Sequence, residues 1–281
     1  MRVTLLGTGS PIPDPHRAGP ATLVQAGGLN LLFDCGRGVV MRLAGAFCGP
    51  PMLHGLFLTH LHSDHTTDLN DVLTTRWAMS PVPAPLDVVG PPGTAQLVER
   101  TLHMLETDIG YRLAHHEDLQ WEPPTQVTEV ADGTVTLEAL DAAGVTVTAA
   151  PTDHRPVAPT VGYRVEHEGR VVVLAGDTVP CDGLDQLLDG AHTYVQTVVR
   201  DDIIRQFPMQ RFVDVCDYHS SVEQAAQTAA RTGVERLVLT HMVPAPPPLA
   251  VGPGAEEWVN IAAAHFSGEV LAPDDLGGFE V

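Results

Sequence analysis

Four short apolar runs in this chain each end at, or just before, a residue able to ligate a metal ion. Leu56 to Thr59 leads into His60, and Val145 to Ala149 stops shortly before His154. Val171 to Ala175 delivers Asp177, and Leu237 to Thr240 is followed by His241. Runs of this kind, rich in β-branched residues, read as buried strands. Open α/β sheets gather ligands where strands end and loops converge. The pattern therefore demands a fold that brings four strand ends together. The densest of them is His60-Leu61-His62-Ser63-Asp64-His65, with three imidazoles and one carboxylate in six positions. Behind it, Thr66-Thr67-Asp68 reads as a helix start, with hydroxyl caps and an early carboxylate. Neutral imidazole suits zinc, and carboxylate can share such a site.

The strand ends make seven candidate ligands available: His60, His62, Asp64, His65, His154, Asp177 and His241. A single zinc takes three or four protein ligands, so seven predict two ions. Two cations held close together call for an anion between them, a role open to Asp177. A Gly-Asp pair after a buried strand also fits a turn closed by an Asx hydrogen bond. His219 stands directly ahead of Ser220-Ser221-Val222-Glu223, whose spacing is that of a capping box opening a helix to about Thr232. It reads either as a residue of the capping region or as a group over the site, touching substrate anion or leaving group. His16, His54, His103, His167, His192 and His265 lack strand-end placement and read as surface or packed side chains.

Strands and helices alternate along the rest of the chain. A hairpin joins Ala21–Gln25 to Leu29–Phe33, and a second joins Val161–Glu166 to Arg170–Ala175. Helical spacing covers 39–46, 68–77, 94–106, 182–188 and 256–265, while 127–150 has the alternation of strands. The loops at 80–85 and 244–253 and the stretch 110–121 are expected to form the rim of the site. No composition break or charged linker divides the sequence, so the expectation is a single α/β domain over 1–281. Gly7-Thr8-Gly9 lacks the third glycine and the lysine of a phosphate cradle and reads as a turn. The net charge of −20 repels phosphate backbones at long range, so nucleic acid is disfavoured as a partner. Four scattered cysteines without a CxxC pair, no signal-like N-terminus and no apolar run of membrane-span length point to a cytoplasmic protein with no membrane partner.

The ligand pattern resembles the metallo-β-lactamase superfamily, and the similarity spans nearly the whole chain. Leu5-Leu6-Gly7-Thr8-Gly9-Ser10-Pro11 and Leu32-Phe33-Asp34-Cys35-Gly36 resemble its ribonuclease Z branch. So do Asp153-His154 with Gly162-Tyr163-Arg164, and His219-Ser220-Ser221 with Leu239-Thr240-His241. The resemblance implies a four-layer αββα sandwich and a homodimer. It places one zinc on His60, His62 and His154, the other on Asp64, His65 and His241, and Asp177 across both. Manganese or iron are alternatives to zinc. It further implies that Asp64 partners the nucleophilic water and that His219 contacts phosphate.

Three departures bear on substrate. Members that mature transfer RNA carry a long basic, Gly-rich arm between the positions matching His154 and Asp177; here 23 positions separate them, enough for a hairpin. Tyr194-Val195-Gln196-Thr197 lacks the acidic His-Glu-Ala-Thr pattern, and His-Ser-Asp-His replaces His-Gly-Asp-His, as in arylsulfatase-like members. The expected function is thus a dinuclear zinc hydrolase of a small anionic ester, a phosphodiester or aryl sulfate, with Asp64 and His219 catalytic. The alternatives are a lactonase or β-lactam-type amide hydrolase, a tRNA 3′-processing endoribonuclease, and a catalytically silent metal-binding regulatory protein.

Overall fold

A computed structural model describes residues 1–247 and 252–281. Fourteen strands run in chain order: β1 (Arg2–Gly7), β2 (Ala21–Ala26), β3 (Leu29–Phe33), β4 (Gly55–Phe57), β5 (Leu86–Gly90), β6 (Thr125–Glu129), β7 (Gly133–Val135), β8 (Thr146–Pro151), β9 (Val161–His167), β10 (Arg170–Leu174), β11 (Thr193–Val199), β12 (Arg236–Val243), β13 (Glu269–Leu271) and β14 (Gly278–Glu280). They form two seven-stranded sheets, ordered β14-β1-β2-β3-β4-β5-β6 and β13-β12-β11-β10-β9-β8-β7. Each sheet is antiparallel where hairpins join its strands and parallel where helices intervene, from β3 to β6 and from β10 to β13.

Side-chain alternation along the parallel strands sorts residues into layers. In β10, Val172 and Leu174 face the other sheet and pack with Val3, Leu31, Phe57 and Val195. Val171 and Val173 face outward onto Leu184, Ala225 and Trp258 of the covering helices Asp182–Leu188, Val222–Thr232 and Glu256–Ala263. On the first sheet Leu32, Leu56 and Val88 turn outward beneath the helices Val39–Gly45, Leu69–Met79 and Thr94–Met104. The result is an αββα sandwich whose parallel strands are buried on both faces, as their continuous apolar runs require.

One contact between the sheets positions the site. Phe33 and Phe57 stack at 4.8 Å, and Tyr163 of β9 meets both rings edge-on at 5.6 Å. The Tyr163 hydroxyl donates to the Leu58 carbonyl at 2.8 Å, and the Val161 amide donates to the Thr59 carbonyl at 2.9 Å. The strand of the second sheet thereby grips the first sheet immediately before His60.

Several elements differ from the sequence reading. A helix, Glu106–His115, occupies much of the stretch read as rim, and another, Glu138–Ala143, interrupts the strands of 127–150. The capping box lies one residue later than its Ser220–Glu223 spacing suggests. Ser221 accepts from the Gln224 amide, and the Gln224 side chain accepts from the Ser221 amide. Ser220 is not available for that role, because its hydroxyl donates to the Thr178 carbonyl. β12 continues through His241 rather than ending before it. No helix among the described residues is long and apolar enough to cross a membrane. Part of the proline-rich loop read at 244–253, residues 248–251, lies outside the described residues.

Candidate metal centre

The loop after β4 is held from outside by one carboxylate. Asp34 accepts from the Thr59 amide at 2.8 Å, the Thr59 hydroxyl at 2.9 Å and His65 Nδ1 at 2.8 Å. Because the Thr59 hydroxyl gives its proton to Asp34, it receives one from His60 Nδ1, 3.1 Å away. His154 Nδ1 donates to the Tyr218 carbonyl at 2.8 Å, and His219 Nδ1 to the Val215 carbonyl at 2.9 Å. Outer contacts of this kind fix the tautomer of a ligating histidine. They leave Nε2 of His60, His65 and His154 as inward-facing acceptors.

Those acceptors converge. His62 Nδ1 lies 3.0 Å from His60 Nε2 and 3.3 Å from His154 Nε2. A single proton on His62 cannot serve both, so lone pairs face one another. The donor atoms of His60, His62, His154 and Asp177 fall within 4.8 Å of one another, and so do those of Asp64, His65 and His241. Asp177 Oδ2 stands between the two sets. It is 3.8 Å from His60 Nε2, 4.0 Å from His154 Nε2, 3.3 Å from His65 Nε2 and 3.6 Å from His241 Nε2. His219 Nε2 approaches the same oxygen at 3.1 Å, and His241 Nε2 approaches Asp64 at 3.1 Å. All seven sequence-derived ligand candidates and His219 therefore meet at one place.

Three buried polar atoms of this cluster, His65 Nε2, Asp177 Oδ1 and His241 Nδ1, have no hydrogen-bond partner among the described residues. Orphaned buried acceptors are rare and call for an explanation. Facing lone pairs and orphaned nitrogen and oxygen atoms in one basket are what a pair of divalent cations would satisfy, and the donor set is the one zinc prefers. The residues fit the metals that the fold implies.

Electrostatics divide the two sets. Burial drives His60 well below its ordinary range, lowers His62, and takes His154 down to about 4. These three are neutral ligands. Burial also lowers His65 and His241, but the charge of Asp177, joined by Asp34 at His65 and Asp64 at His241, outweighs it and raises both. Burial pushes the carboxyls of Asp64 and Asp177 up. At Asp64 the His241 hydrogen bond and the His65 charge prevail, at Asp177 the charges of His241 and His65, and both end well below the usual carboxylate range. To hold a metal, His65 and His241 would have to bind in their neutral form, so affinity of the second set would depend on pH.

The backbone is strained where it serves this cluster. Asp34 and His241 both adopt positive φ, 58° and 45°, which costs a non-glycine residue about 1–3 kcal/mol. Gly176 (φ 67°) has no such freedom of replacement: a Cβ there would lie 2.8 Å from the Thr59 Cβ. It lets Asp177 come up beneath His60. Asp34, Thr59 and Tyr163 are the supporting residues that ligand spacing could not reveal. The only trace of Asp34 in the sequence is its place in the Leu32–Gly36 motif.

Above the ligands opens a cleft of about 240 Å³. Its floor is His62, Asp64, Asp177, His219 and His241; its wall is Pro11, Ile12, Phe212, Val215, Tyr218 and Val243. Neither 80–85 nor 110–121 contributes to it, contrary to the rim expected from sequence. A larger hollow of about 370 Å³ beside Arg200 and Trp258 contains none of the ligand residues.

Residues 29–242 match the family described as Beta-lactamase superfamily domain. The chain is 57% identical to the Ribonuclease Z of Mycolicibacterium paratuberculosis (strain ATCC BAA-968 / K-10), over 100% of this chain and 98% of that protein. It is 54% identical to the Ribonuclease Z of Mycobacterium tuberculosis (strain ATCC 25618 / H37Rv), with the same coverage. Among solved structures it resembles the metallo-β-lactamase fold protein YhfI of Bacillus subtilis, at TM-score 0.75 and 20% identity over 100% of this chain and 99% of that one. It also resembles the short form of human tRNase Z, at TM-score 0.68 and 24% identity over 100% and 99%. These two likenesses concern the fold. The full-length relatives correct one expectation, that nucleic acid is disfavoured as a partner. Net charge describes the distant field, whereas a metal site is governed by the ions and side chains within a few ångströms. With its fold, ligand-type side chains and full-length relatives in agreement, the chain belongs to the ribonuclease Z family of the β-lactamase superfamily, metal-dependent hydrolases acting on phosphodiester bonds.

Proposed function

We propose that this chain is an endoribonuclease that cuts 3′ trailers from transfer-RNA precursors. The observation that carries the reading is its match, at 57% identity, to a Ribonuclease Z over 98% of that protein's length. The alignment spans 283 positions against 281 residues, so the 23-position hairpin is no departure from that relative. The preference for a small ester or aryl sulfate rested on the missing arm, the absent His-Glu-Ala-Thr pattern, the His-Ser-Asp-His variant and the net charge, none of which identifies the scissile bond.

In this reading His60, His62 and His154 hold one zinc, Asp64, His65 and His241 hold the second, and Asp177 is shared. When bound, two such ions make water a nucleophile near neutral pH and offset charge growing on the phosphoryl oxygens. Asp64, at the cleft floor, orients the attacking water. His219 has Nδ1 committed to Val215 and Nε2 beside Asp177 at the cleft floor; with a proton on Nε2 it would meet the phosphate or hand that proton to the leaving oxygen. A homodimer in the cytoplasm belongs to the same reading and is checked by light scattering and cell fractionation.

The test is one panel with zinc-loaded protein: a 3′-extended transfer-RNA precursor, an aryl phosphodiester, an aryl sulfate, a lactone and a β-lactam. The trailer is released, and Asp64→Ala lowers that rate at least about 10³-fold through lost charge stabilisation, with unchanged circular dichroism. Intact precursor beside rapid hydrolysis of the sulfate, lactone or β-lactam would overturn the reading.

A further inference from the structure

The segment between β11 and His219 contributes no ligand to the metal basket; the Val215 and Tyr218 carbonyls only anchor His219 and His154 from outside. It comprises two four-residue helices, Asp201–Ile204 and Gln210–Val213, and the turn Asp214–Asp217. Yet it supplies Phe212 and Val215 to the cleft, and Tyr218 follows directly. Phe212 is half-buried and leans on Phe207 at 5.8 Å. The Tyr218 ring lies 5.2 Å from His154 and 4.9 Å from His219, so the aromatic wall begins where the ligand set ends.

Charge on the wall is equally selective. All fifteen basic residues are arginines. Eleven of them lie within 4 Å of a carboxylate, and Arg76 directs its donors at five backbone carbonyls. Arg37, Arg100 and Arg211 make no ion pair among the described residues. Of these, Arg211 sits over a cleft residue, its guanidinium 6.0 Å from the Phe212 ring centre. Among the described residues its guanidinium donates only to the Met209 sulfur, at 3.2 Å, so in a chain of net charge −20 an arginine without an ion pair at this position is available to an incoming anion.

We propose that Phe212 and Tyr218 form a stacking platform for the nucleobase next to the scissile phosphate, and that Arg211 takes the neighbouring phosphate. The proposal rests on the ribonuclease reading and names the side of the cleft that reads substrate. Every base offers a π-face, so an aromatic shelf accepts single-stranded RNA without demanding one sequence, and an adjacent arginine follows the backbone.

The experiment compares kcat/KM of zinc-loaded wild type, Phe212→Ala, Phe212→Trp and Arg211→Ala on a 3′-extended RNA. A second set of RNAs carries an abasic ribose on one or the other side of the cleaved bond. Phe212→Ala loses between about 5- and 140-fold on the normal RNA, the range for one base–aromatic stack. On the RNA abasic at the stacked position it differs from wild type by no more than about twofold. Phe212→Trp retains the normal rate, and Arg211→Ala lowers the salt slope by about 0.7, one phosphate contact on a single strand. An equal loss on normal and abasic RNA, or none on either, overturns the platform while leaving the ribonuclease reading intact. A wild type that cuts no RNA overturns both.

Discussion

The floor and the wall of the cleft are held by different means. At and beneath the floor His60, His65, His154 and His241 are at most 1% exposed, seated at or just after strand ends, His65 on the short helix Ser63–Thr66. Three of these rings have their outer nitrogen tied to a hydroxyl, a carboxylate or a carbonyl. On the wall Phe212 and Tyr218 are half-buried, carried on four-residue helices and a turn, and kept in place by ring contacts. Rigid strand ends can aim donor atoms to within a fraction of an ångström, whereas side chains of the segment over them can be exchanged while its Val215 and Tyr218 carbonyls go on holding His219 and His154. On the proposed reading the chemistry is fixed by the core and the choice of substrate is left to side chains near the surface.

Two substitutions sharpen that contrast. The larger effect falls on the floor. Asp34→Asn keeps the shape but removes an acceptor for the three donors of Thr59 and His65. Metal affinity of the His65 set drops about 10- to 100-fold, the usual range for such an outer partner. Competition against a chelating dye reads it, and an unchanged affinity would mean that the floor is not organised by Asp34. The smaller effect falls between floor and wall. Ser221→Ala removes the cap of the helix behind His219 and costs about 1 kcal/mol in denaturant unfolding. Metal content stays the same; a loss of bound metal would show that wall and floor are not separable.

The floor was legible in the sequence for a physical reason. Buried parallel strands need unbroken apolar runs, so a polar ligand-type residue at the end of each stands out. Seven ligand candidates follow from that contrast, whereas His219 was read from its place ahead of a capping-box spacing and the hairpin at Glu168-Gly169 from the turn between two apolar runs. What could not be read were groups whose significance is set by contact across the fold. Tyr163 looks like any strand tyrosine until its hydroxyl meets Leu58, 105 positions away in sequence. The wall was missed because 201–217 has neither helical nor strand periodicity long enough to register. The helix Glu106–His115 was missed because Gly110 and two histidines masked its amphipathic spacing. Net charge misled because it describes the distant field, whereas the cleft is governed by the groups within a few ångströms of the ligands.

The proposed sharing of Asp177 by two ions is the point on which that chemistry turns, and zinc titration of chelator-stripped protein with metal analysis probes it directly. Wild type should take up two equivalents per chain. Asp177→Asn, which keeps an oxygen but loses the charge, should retain no more than one under the same conditions. Uptake of a single ion by wild type, or two ions held by Asp177→Asn with undiminished affinity, would contradict the account.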